Sequence, residues 1–488
     1  MKRIVTLLLA AGLVLGAAGA GNAADVKVKG MWDFAVGWAD SSFNAGDNGD
    51  NFVARQRLRT QVDFIASETL KGVVFFEIGD QNWGRANQGA SLGTDGTVIE
   101  VRYSYVDWVV PNTELKVRMG LQPIAFPGYV ADSSVLNHDG AGITLNYAFN
   151  ENVAATFFWA RLENDNDLSK DEIENNKIVK KTPGDNFRHD AFDLFGLTLP
   201  MTFDGVKVTP WGAYASIGRN ALDGDRNTNH WGGAAGDQIG KLRQGMLPMG
   251  VTSFSGSDDS RGDAWWLGLT GDITVWNPFR LAFDFNYGSV DMGEGIIRGK
   301  HGDLERKGWL ASLLAEYKLD SVTPGLIFWY ASGDDDDPYD GSERLPSMRP
   351  AWKPTSYGFD GYYAIDPGEM FGTSAAGTWG IVAQLKDITF TEDLNHVFRV
   401  GYYRGTNDEA MVKKGIVTAP WGNPGSPFYL TEEDAAWEVN FDTTYKIYED
   451  LTLNVALGYI YLDLDNSVWN VDENKNNFKA MVNMRYAF

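Results

Sequence analysis

Three arginines alternate along one short segment near the start of the chain. Residues 53–64 read VARQRLRTQVDF, which places Arg55, Arg57 and Arg59 at every second position. Side chains two residues apart in a β-strand point to the same face, so the three guanidinium groups would form one row. A row of like charge beside water can select ions by sign and orient dipolar solutes. The segment therefore predicts a surface that discriminates solutes by charge.

Further charged residues occupy the same predicted face on the strands that follow. They are Glu77, Arg102, Lys116 and Arg118, whereas Tyr103 and Tyr105 are expected on the opposite face. An arginine that faced lipid would cost about 2–4 kcal/mol at the middle of a bilayer. The charged face must therefore point towards water.

Other chemistry has little support in the sequence. The five histidines show no metal-ligand spacing, and neither GxSxG nor a phosphate-binding loop is present. We therefore expect no enzymatic activity and no cofactor. A formal net charge of -23 argues against binding to nucleic acid. The acidic run Asp334, Asp335, Asp336 and Asp337 is a candidate for loosely bound divalent cations.

The segments that carry these residues are predicted to be β-strands, because apolar residues recur along the chain with a period of two. In 281–287, Leu, Phe, Phe and Tyr alternate with Ala, Asp and Asn, and 309–319 and 451–461 show the same pattern. The second face carries polar or small residues. A soluble β-sandwich and a membrane β-barrel both produce this alternation, so the pattern alone leaves the two open.

The first 24 residues have the features of a secretory signal peptide. Lys2 and Arg3 precede an apolar run from Ile4 to Ala20, and a small-residue cleavage site follows at Ala23 or Ala24. Cleavage would leave residues 25–488 as one domain and would change the net charge from -23 to -25, because Lys2 and Arg3 are removed. The chain has no cysteine, so disulfides cannot stabilise it.

The predicted connections alternate between short and long. Eight short turns and nine long connections, among them 84–97, 123–140, 293–307 and 333–378, predict eighteen strands. Sixteen is the alternative, which holds if 188–219 is not a full hairpin. Short turns at one end and long loops at the other are typical of a transmembrane, antiparallel, up-and-down β-barrel. Trp and Tyr gather near the predicted strand ends, as expected for belts at a lipid–water interface.

The last strand carries an apolar stripe that ends at the final residue. The stripe consists of Phe478, Ala480, Val482, Met484, Tyr486 and Phe488. This strand is expected to close the barrel against the first one, because an open sheet edge is not tolerated in hydrocarbon.

These features resemble those of Gram-negative general porins. The mature start, DVKVKG at 25–30, and the end, MRYAF at 484–488, are most similar to the homotrimeric porins of sulfate-reducing bacteria. The resemblance implies a trimer of barrels in the outer membrane, among its lipids and lipopolysaccharide. It also implies a third external loop that folds into the lumen, and recognition of Phe488 by the barrel-assembly machinery.

In this chain the third loop corresponds to 123–140 and carries Asp132 and Asp139. The predicted constriction therefore sets a basic wall, with Glu77 among its members, against an acidic loop. We expect a water-filled channel for passive diffusion of small hydrophilic solutes and ions, with mild cation preference from its acidic loops. The alternatives are a substrate-specific channel for sugars or carboxylates, and a secreted carbohydrate-binding β-protein.

Overall fold

The regular secondary structure of the computed structural model is almost entirely β-strand. The structure describes residues 24–40, 50–96, 99–164, 172–174, 177–180, 191–222, 242–253, 261–359, 371–420, 428–470 and 475–488. The proposed signal peptide lies outside these residues, apart from Ala24. The strands are β1 (Asp25–Asp40), β2 (Asp50–Ser67), β3 (Leu70–Asn82), β4 (Ile99–Val109), β5 (Leu115–Ala125), β6 (Asn137–Ala148), β7 (Ala154–Glu163), β8 (Glu172–Glu174), β9 (Lys177–Lys180), β10 (Phe192–Thr198), β11 (Met201–Phe203), β12 (Val206–Gly218), β13 (Val251–Ser253), β14 (Arg261–Ile273), β15 (Phe279–Ile297), β16 (Lys300–Tyr317), β17 (Thr323–Ala331), β18 (Thr378–Thr391), β19 (Leu394–Gly405), β20 (Ala435–Tyr448), β21 (Leu451–Asp463) and β22 (Lys475–Ala487).

Eighteen of these strands form a closed antiparallel barrel. β11 continues β10 beyond Pro200, which has no N–H to donate to the ladder. β13 pairs with the far end of β15, and β8 and β9 pair with each other in a separate sheet. The predicted count of eighteen is confirmed. The alternative of sixteen is wrong, because β10 and β12 pair along their length from Phe192–Ile217 to Thr198–Trp211.

Within the part of the chain that the structure describes, helical structure is confined to single turns. The 3-10 turns are Ala86–Gln88 and Arg219–Leu222, and the α-helical turns are 242–246, Ala410–Lys413 and Asn466–Trp469. Among the described residues, no helix has both the length and the apolar character needed to cross a membrane.

Short turns and long connections fall at opposite ends of the barrel, as predicted, with one exception. The region 293–307 was expected to be a loop, but β15 continues to Ile297 and β16 begins at Lys300. Arg298 and Gly299 both have positive φ angles, 47° and 86°, which suit a two-residue hairpin turn. The prediction was wrong because this part of the hairpin lacks a regular apolar stripe.

Pairing of the first and last strands closes the sheet. β1 pairs with β22 from Met31–Ala487 to Ala39–Lys479. Beyond that ladder, the Phe488 N–H donates to the Gly30 carbonyl (3.0 Å) and the Gly30 N–H donates to the Phe488 carbonyl (2.8 Å). A β-sandwich consists of two facing sheets, whereas this chain forms one sheet that closes on itself. The alternative prediction of a soluble β-sandwich is therefore wrong.

The two faces of the barrel differ as the alternation predicted. On β15, Phe285 points outward and is 45% exposed, whereas Asp284 points inward and is 3% exposed. The apolar stripe of β22 likewise faces outward, with Phe478, Val482 and Met484 exposed. The apolar exterior and the polar interior are the arrangement required of a barrel surrounded by lipid.

Loops fill part of the barrel interior. The third connection, 126–136, folds inward as predicted, and the ring of Phe126 stacks on Trp211 of the wall at 4.3 Å. It is shorter than expected because β5 extends to Ala125 and β6 begins at Asn137. A second inserted segment, 345–359, comes from the connection between β17 and β18, and it buries Trp352 and Phe359.

Candidate functional site

The arginine row of β2 faces the interior and is held by carboxylates on β3. Arg59 and Glu77 are directly opposite in the ladder, and the Arg59 Nε donates to Glu77 Oε2 at 2.6 Å. Arg57 donates to both carboxylate oxygens of Asp80, at 2.6 and 2.7 Å. Arg55 lies opposite Asn82 in the same ladder and is half-buried. Arg57 and Arg59 are therefore held by ion pairs between adjacent strands.

Glu77 lies at the centre of this set. Besides Arg59, its carboxylate lies 3.4 Å from Arg57 Nε and 3.6 Å from the Arg102 guanidinium. Its side chain is 9% exposed. One carboxylate thus holds three arginines from two neighbouring strands.

Two more arginines continue the row along the wall. Arg102 on β4 donates from Nε and Nη2 to one oxygen of Asp139, at 2.9 and 2.7 Å. Arg118 on β5 forms a bidentate ion pair with Asp107, in which Nε donates to Oδ1 at 2.6 Å and Nη2 donates to Oδ2 at 3.0 Å. Lys116 lies two residues before Arg118 on β5 and is exposed.

The acidic residues assigned to the third loop separate in the structure. Asp139 lies on β6, opposite Pro123 of β5, and therefore belongs to the barrel wall. The prediction that it sits on the loop was wrong because the β5–β6 ladder extends further than the alternation suggested. Asp132 does lie on the loop, where it accepts from Asn137 at 2.9 Å and pairs with Lys353 at 3.0 Å.

A β-bulge in β4 changes which residues line the interior. Phe75 pairs with Tyr103 and Phe76 pairs with Val101, so Arg102 is an extra residue in the ladder. A bulge shifts the alternation of the strand by one residue. Tyr103 and Tyr105 therefore point inward, whereas Ser104, Val106 and Trp108 point outward. The expectation that the two tyrosines face out was wrong for this reason.

Aromatic rings thus accompany the arginines. The ring of Tyr103 stacks on Phe75 at 5.0 Å, and the Arg102 guanidinium lies 5.5 Å from the Tyr103 centroid. The Arg118 guanidinium lies over Tyr105 at 4.2 Å. We call Arg59, Arg102, Arg118, Tyr103 and Tyr105 the arginine–tyrosine lane. Its side chains offer flat apolar faces beside hydrogen-bond donors.

A cavity of about 600 Å³ lies at the short-turn end of the lane. Its lining includes Lys71, Lys116, Arg118, Gln122 and Asn146. Cavities of roughly 300–1,000 Å³ suit small molecules, so this space is large enough for a small polar solute.

The two inserted segments are joined to each other by backbone hydrogen bonds. The N–H groups of Met348, Ala351 and Lys353 donate to the carbonyls of Val135, Ser133 and Ala131, at 3.0, 2.8 and 2.9 Å. The Asn137 N–H donates to the Arg349 carbonyl at 2.8 Å. We call residues 129–137 and 347–358 the crossbar.

Buried carboxylates attach both ends of the crossbar to the wall. Asp284 on β15 accepts from the N–H groups of Tyr129 and Val130, both at 2.9 Å. Glu438 on β20 accepts from the N–H groups of Tyr357 and Gly358, at 3.2 and 3.0 Å. Each anchor satisfies backbone donors that would otherwise be buried without a partner.

The segment 347–358 was missed by sequence reasoning, which treated 333–378 as one external loop. A signal for it exists in the sequence. Trp352, Tyr357 and Phe359 lie close together within a loop that is otherwise rich in Asp, Gly and Ser. Such an apolar group in a loop indicates burial against another surface.

The acidic run 334–337 does not act as a unit. Asp334 is buried and accepts hydrogen bonds from Tyr429 and Ser342. The carboxylates that come within 4.8 Å of one another belong to Asp335, Asp340 and Glu343. Partial burial, together with the nearby Asp335, Asp334 and Asp340, raises the pKa of Glu343 to about 7. Binding of divalent cations at these loops stays a prediction.

Comparison with known proteins identifies the fold. No protein-family model matches the sequence, and no curated protein matches it. Solved structures do match, each at 11% identity and a TM-score of 0.50. Acinetobacter baumannii OccAB3 and Pseudomonas aeruginosa OpdL each align over 95% of this chain and 99% of theirs. The outer membrane protein OpdK from Pseudomonas aeruginosa aligns over 95% of this chain and 98% of its own. The chain therefore shares the overall barrel fold of OccAB3, OpdL and OpdK.

Proposed function

We propose that this chain is an outer-membrane porin, a water-filled channel through which small hydrophilic solutes and ions diffuse passively. The observation that carries the proposal is the contrast between the two faces of one closed barrel. Apolar residues such as Phe285 and Met484 cover the outside, and ion-paired residues such as Arg59 and Glu77 line the inside. Charged side chains in a barrel interior need water, and a hydrated interior is a path for solutes.

The proposed location rests on the same exterior and on the sequence. An outward apolar band suits a bilayer, and the proposed signal peptide at 1–24 would direct export. The shared fold with OpdK, an outer membrane protein, supports this location. We also propose a homotrimer, as the resemblance to porins of sulfate-reducing bacteria implies, with lipopolysaccharide around it.

Planar-bilayer recordings test the channel directly. Purified protein that migrates as a folded, heat-modifiable barrel should produce ion conductance, and three equal current steps per insertion would support a trimer. The mature chain should favour cations mildly, because its formal net charge is -25 once Lys2 and Arg3 are removed. Folded protein that inserts without conducting would contradict the proposal.

The second candidate is a substrate-specific channel for sugars or carboxylates. The arginine–tyrosine lane favours it, because Tyr103 and Tyr105 offer faces for stacking next to Arg102 and Arg118. A specific channel binds its solute, so that solute should reduce the ion current in a saturable way. Titration with a neutral disaccharide and with a monocarboxylate distinguishes the classes. A current that falls only in proportion to solution viscosity would exclude this candidate.

A further inference from the structure

The crossbar has a different charge from the one expected of the third loop alone. Asp132 is its acidic member on the third loop, and the partner segment adds Arg349 and Lys353. The ion pair between Lys353 Nζ and Asp132 Oδ2, at 3.0 Å, is open to water, with side chains 47% and 27% exposed. Lys353 therefore cancels the carboxylate that was expected to face the basic wall.

Arg349 places a further cation close to the arginine–tyrosine lane. Its Nη2 lies 3.0 Å from Nε2 of His138, which directly precedes Asp139 on β6. Asp139 is in turn the partner of Arg102 on the wall. The crossbar and the basic wall thus meet at the first residues of β6. Arg349 lies on the crossbar side of this contact and Arg102 on the wall side.

The attachment of the crossbar fixes these cations in place. Backbone hydrogen bonds at Ala351 and Lys353 hold the segment against the third loop on either side of Trp352, which is fully buried. An exposed ion pair such as Lys353–Asp132 contributes little to stability. A charge in a water-filled passage with low-dielectric walls, by contrast, acts strongly on passing ions.

We infer that Lys353, with Arg349 beside it, is a charge-selectivity determinant of the channel. The two cations of the 347–358 segment lower the passage of cations relative to anions at the crossbar. This inference rests on the proposed channel function and concerns residues outside the third loop. The inference concerns the direction in which each variant shifts the overall preference, which the acidic chain is expected to set mildly towards cations.

Reversal potentials across a KCl gradient test the inference. Lys353→Gln should raise the potassium-to-chloride permeability ratio severalfold, and Lys353→Glu should raise it further, because each removes positive charge from the passage. Asp132→Asn should lower the ratio. The matched control is Lys318→Gln, which removes an exposed lysine after β16 at the short-turn end and should leave the ratio unchanged.

The outcomes separate the inference from the function on which it rests. All variants are first checked for a heat-modifiable barrel, so that unfolded protein is not scored. If they conduct and Lys353→Gln shifts the ratio no more than Lys318→Gln, the inference is wrong and the channel stands. The same holds if Asp132→Asn and Lys353→Gln shift it in the same direction. If folded wild-type protein does not conduct, the channel function itself fails.

Discussion

Glu77 is the residue on which the basic wall depends. Its carboxylate contacts Arg57, Arg59 and Arg102 and is shielded from water. Removing one member of a buried ion pair costs roughly 3–5 kcal/mol because the remaining charge is left without compensation. Glu77 therefore compensates part of the positive charge of all three arginines.

Glu77→Gln should weaken the barrel and make the lumen more positive. We expect a clearly lower unfolding temperature in detergent and a shift of the reversal potential towards anion passage. Glu68→Gln, at an exposed turn position, is the control for a lost carboxylate. An unchanged unfolding temperature would mean that the arginines find other partners.

Glu343 makes the loop before the crossbar sensitive to pH. Its pKa of about 7 exceeds the ordinary glutamate value of 4.5 because the closed loop partly buries it beside other carboxylates. The closed loop thus binds a proton that the opened loop releases. Stability from this group is fully present below about pH 4.5, and it is lost as the pH rises through about 7.

Hydrogen exchange of residues 333–345 should report this change. After correction for the intrinsic pH dependence of exchange, opening should become more frequent between pH 5 and pH 8. Glu343→Gln has no proton to lose, so its opening should stay constant over the same range. A wild-type loop whose corrected exchange is flat would contradict the raised pKa.

At the scale of elements, the crossbar depends on anchors contributed by distant strands. Asp284→Ala removes the acceptor for the Tyr129 and Val130 N–H groups. We expect the third loop to loosen, with larger and noisier single-channel currents. Asn286→Ala, two residues along the same inward face, is the control. Currents identical to wild type in Asp284→Ala would show that apolar packing, such as Phe126 on Trp211, holds the loop without this anchor.

Strands were easier to predict than inserted loops. The alternation in 281–287 identifies β15 because lipid and water impose opposite demands on successive side chains. The bulge at Arg102 leaves no such trace, since Tyr is acceptable on either face, and it reversed the orientation of Tyr103 and Tyr105. The arginines of the site were predicted, but their partners Asp80 and Asp107 were not, because cross-strand register is not visible in one sequence.

At the scale of the whole molecule, Phe488 extends the pairing of β1 and β22 that closes the barrel. Deleting Phe488 removes the two backbone hydrogen bonds to Gly30 and the ring that lies 5.9 Å from Trp32. We expect slower folding and a smaller fraction of the protein that forms a heat-modifiable barrel. Phe478→Ala, on the same outward face of β22, is the control.

Refolding of the purified chain separates two roles of Phe488. In lipid vesicles without assembly machinery, the deletion should still fold more slowly if closure requires the residue. Normal refolding in vesicles combined with poor assembly in cells would assign Phe488 to recognition by the barrel-assembly machinery alone.

The β-bulge at Arg102 also means that β4 can lose one residue in evolution and keep the rest of its lining. Loss of Arg102 would restore strict alternation and leave the pairs Phe75–Tyr103 and Phe76–Val101 in place, so Tyr103, Tyr105 and Asp107 would still face the interior. Loss of a regularly paired residue such as Ser104 would instead change the face of the residues on one side of it, unless the strand shifted past its neighbours. A gap at Arg102 in an alignment of relatives would therefore mark a channel that has lost one arginine, whereas a gap elsewhere in β4 would mark a channel with a different lining.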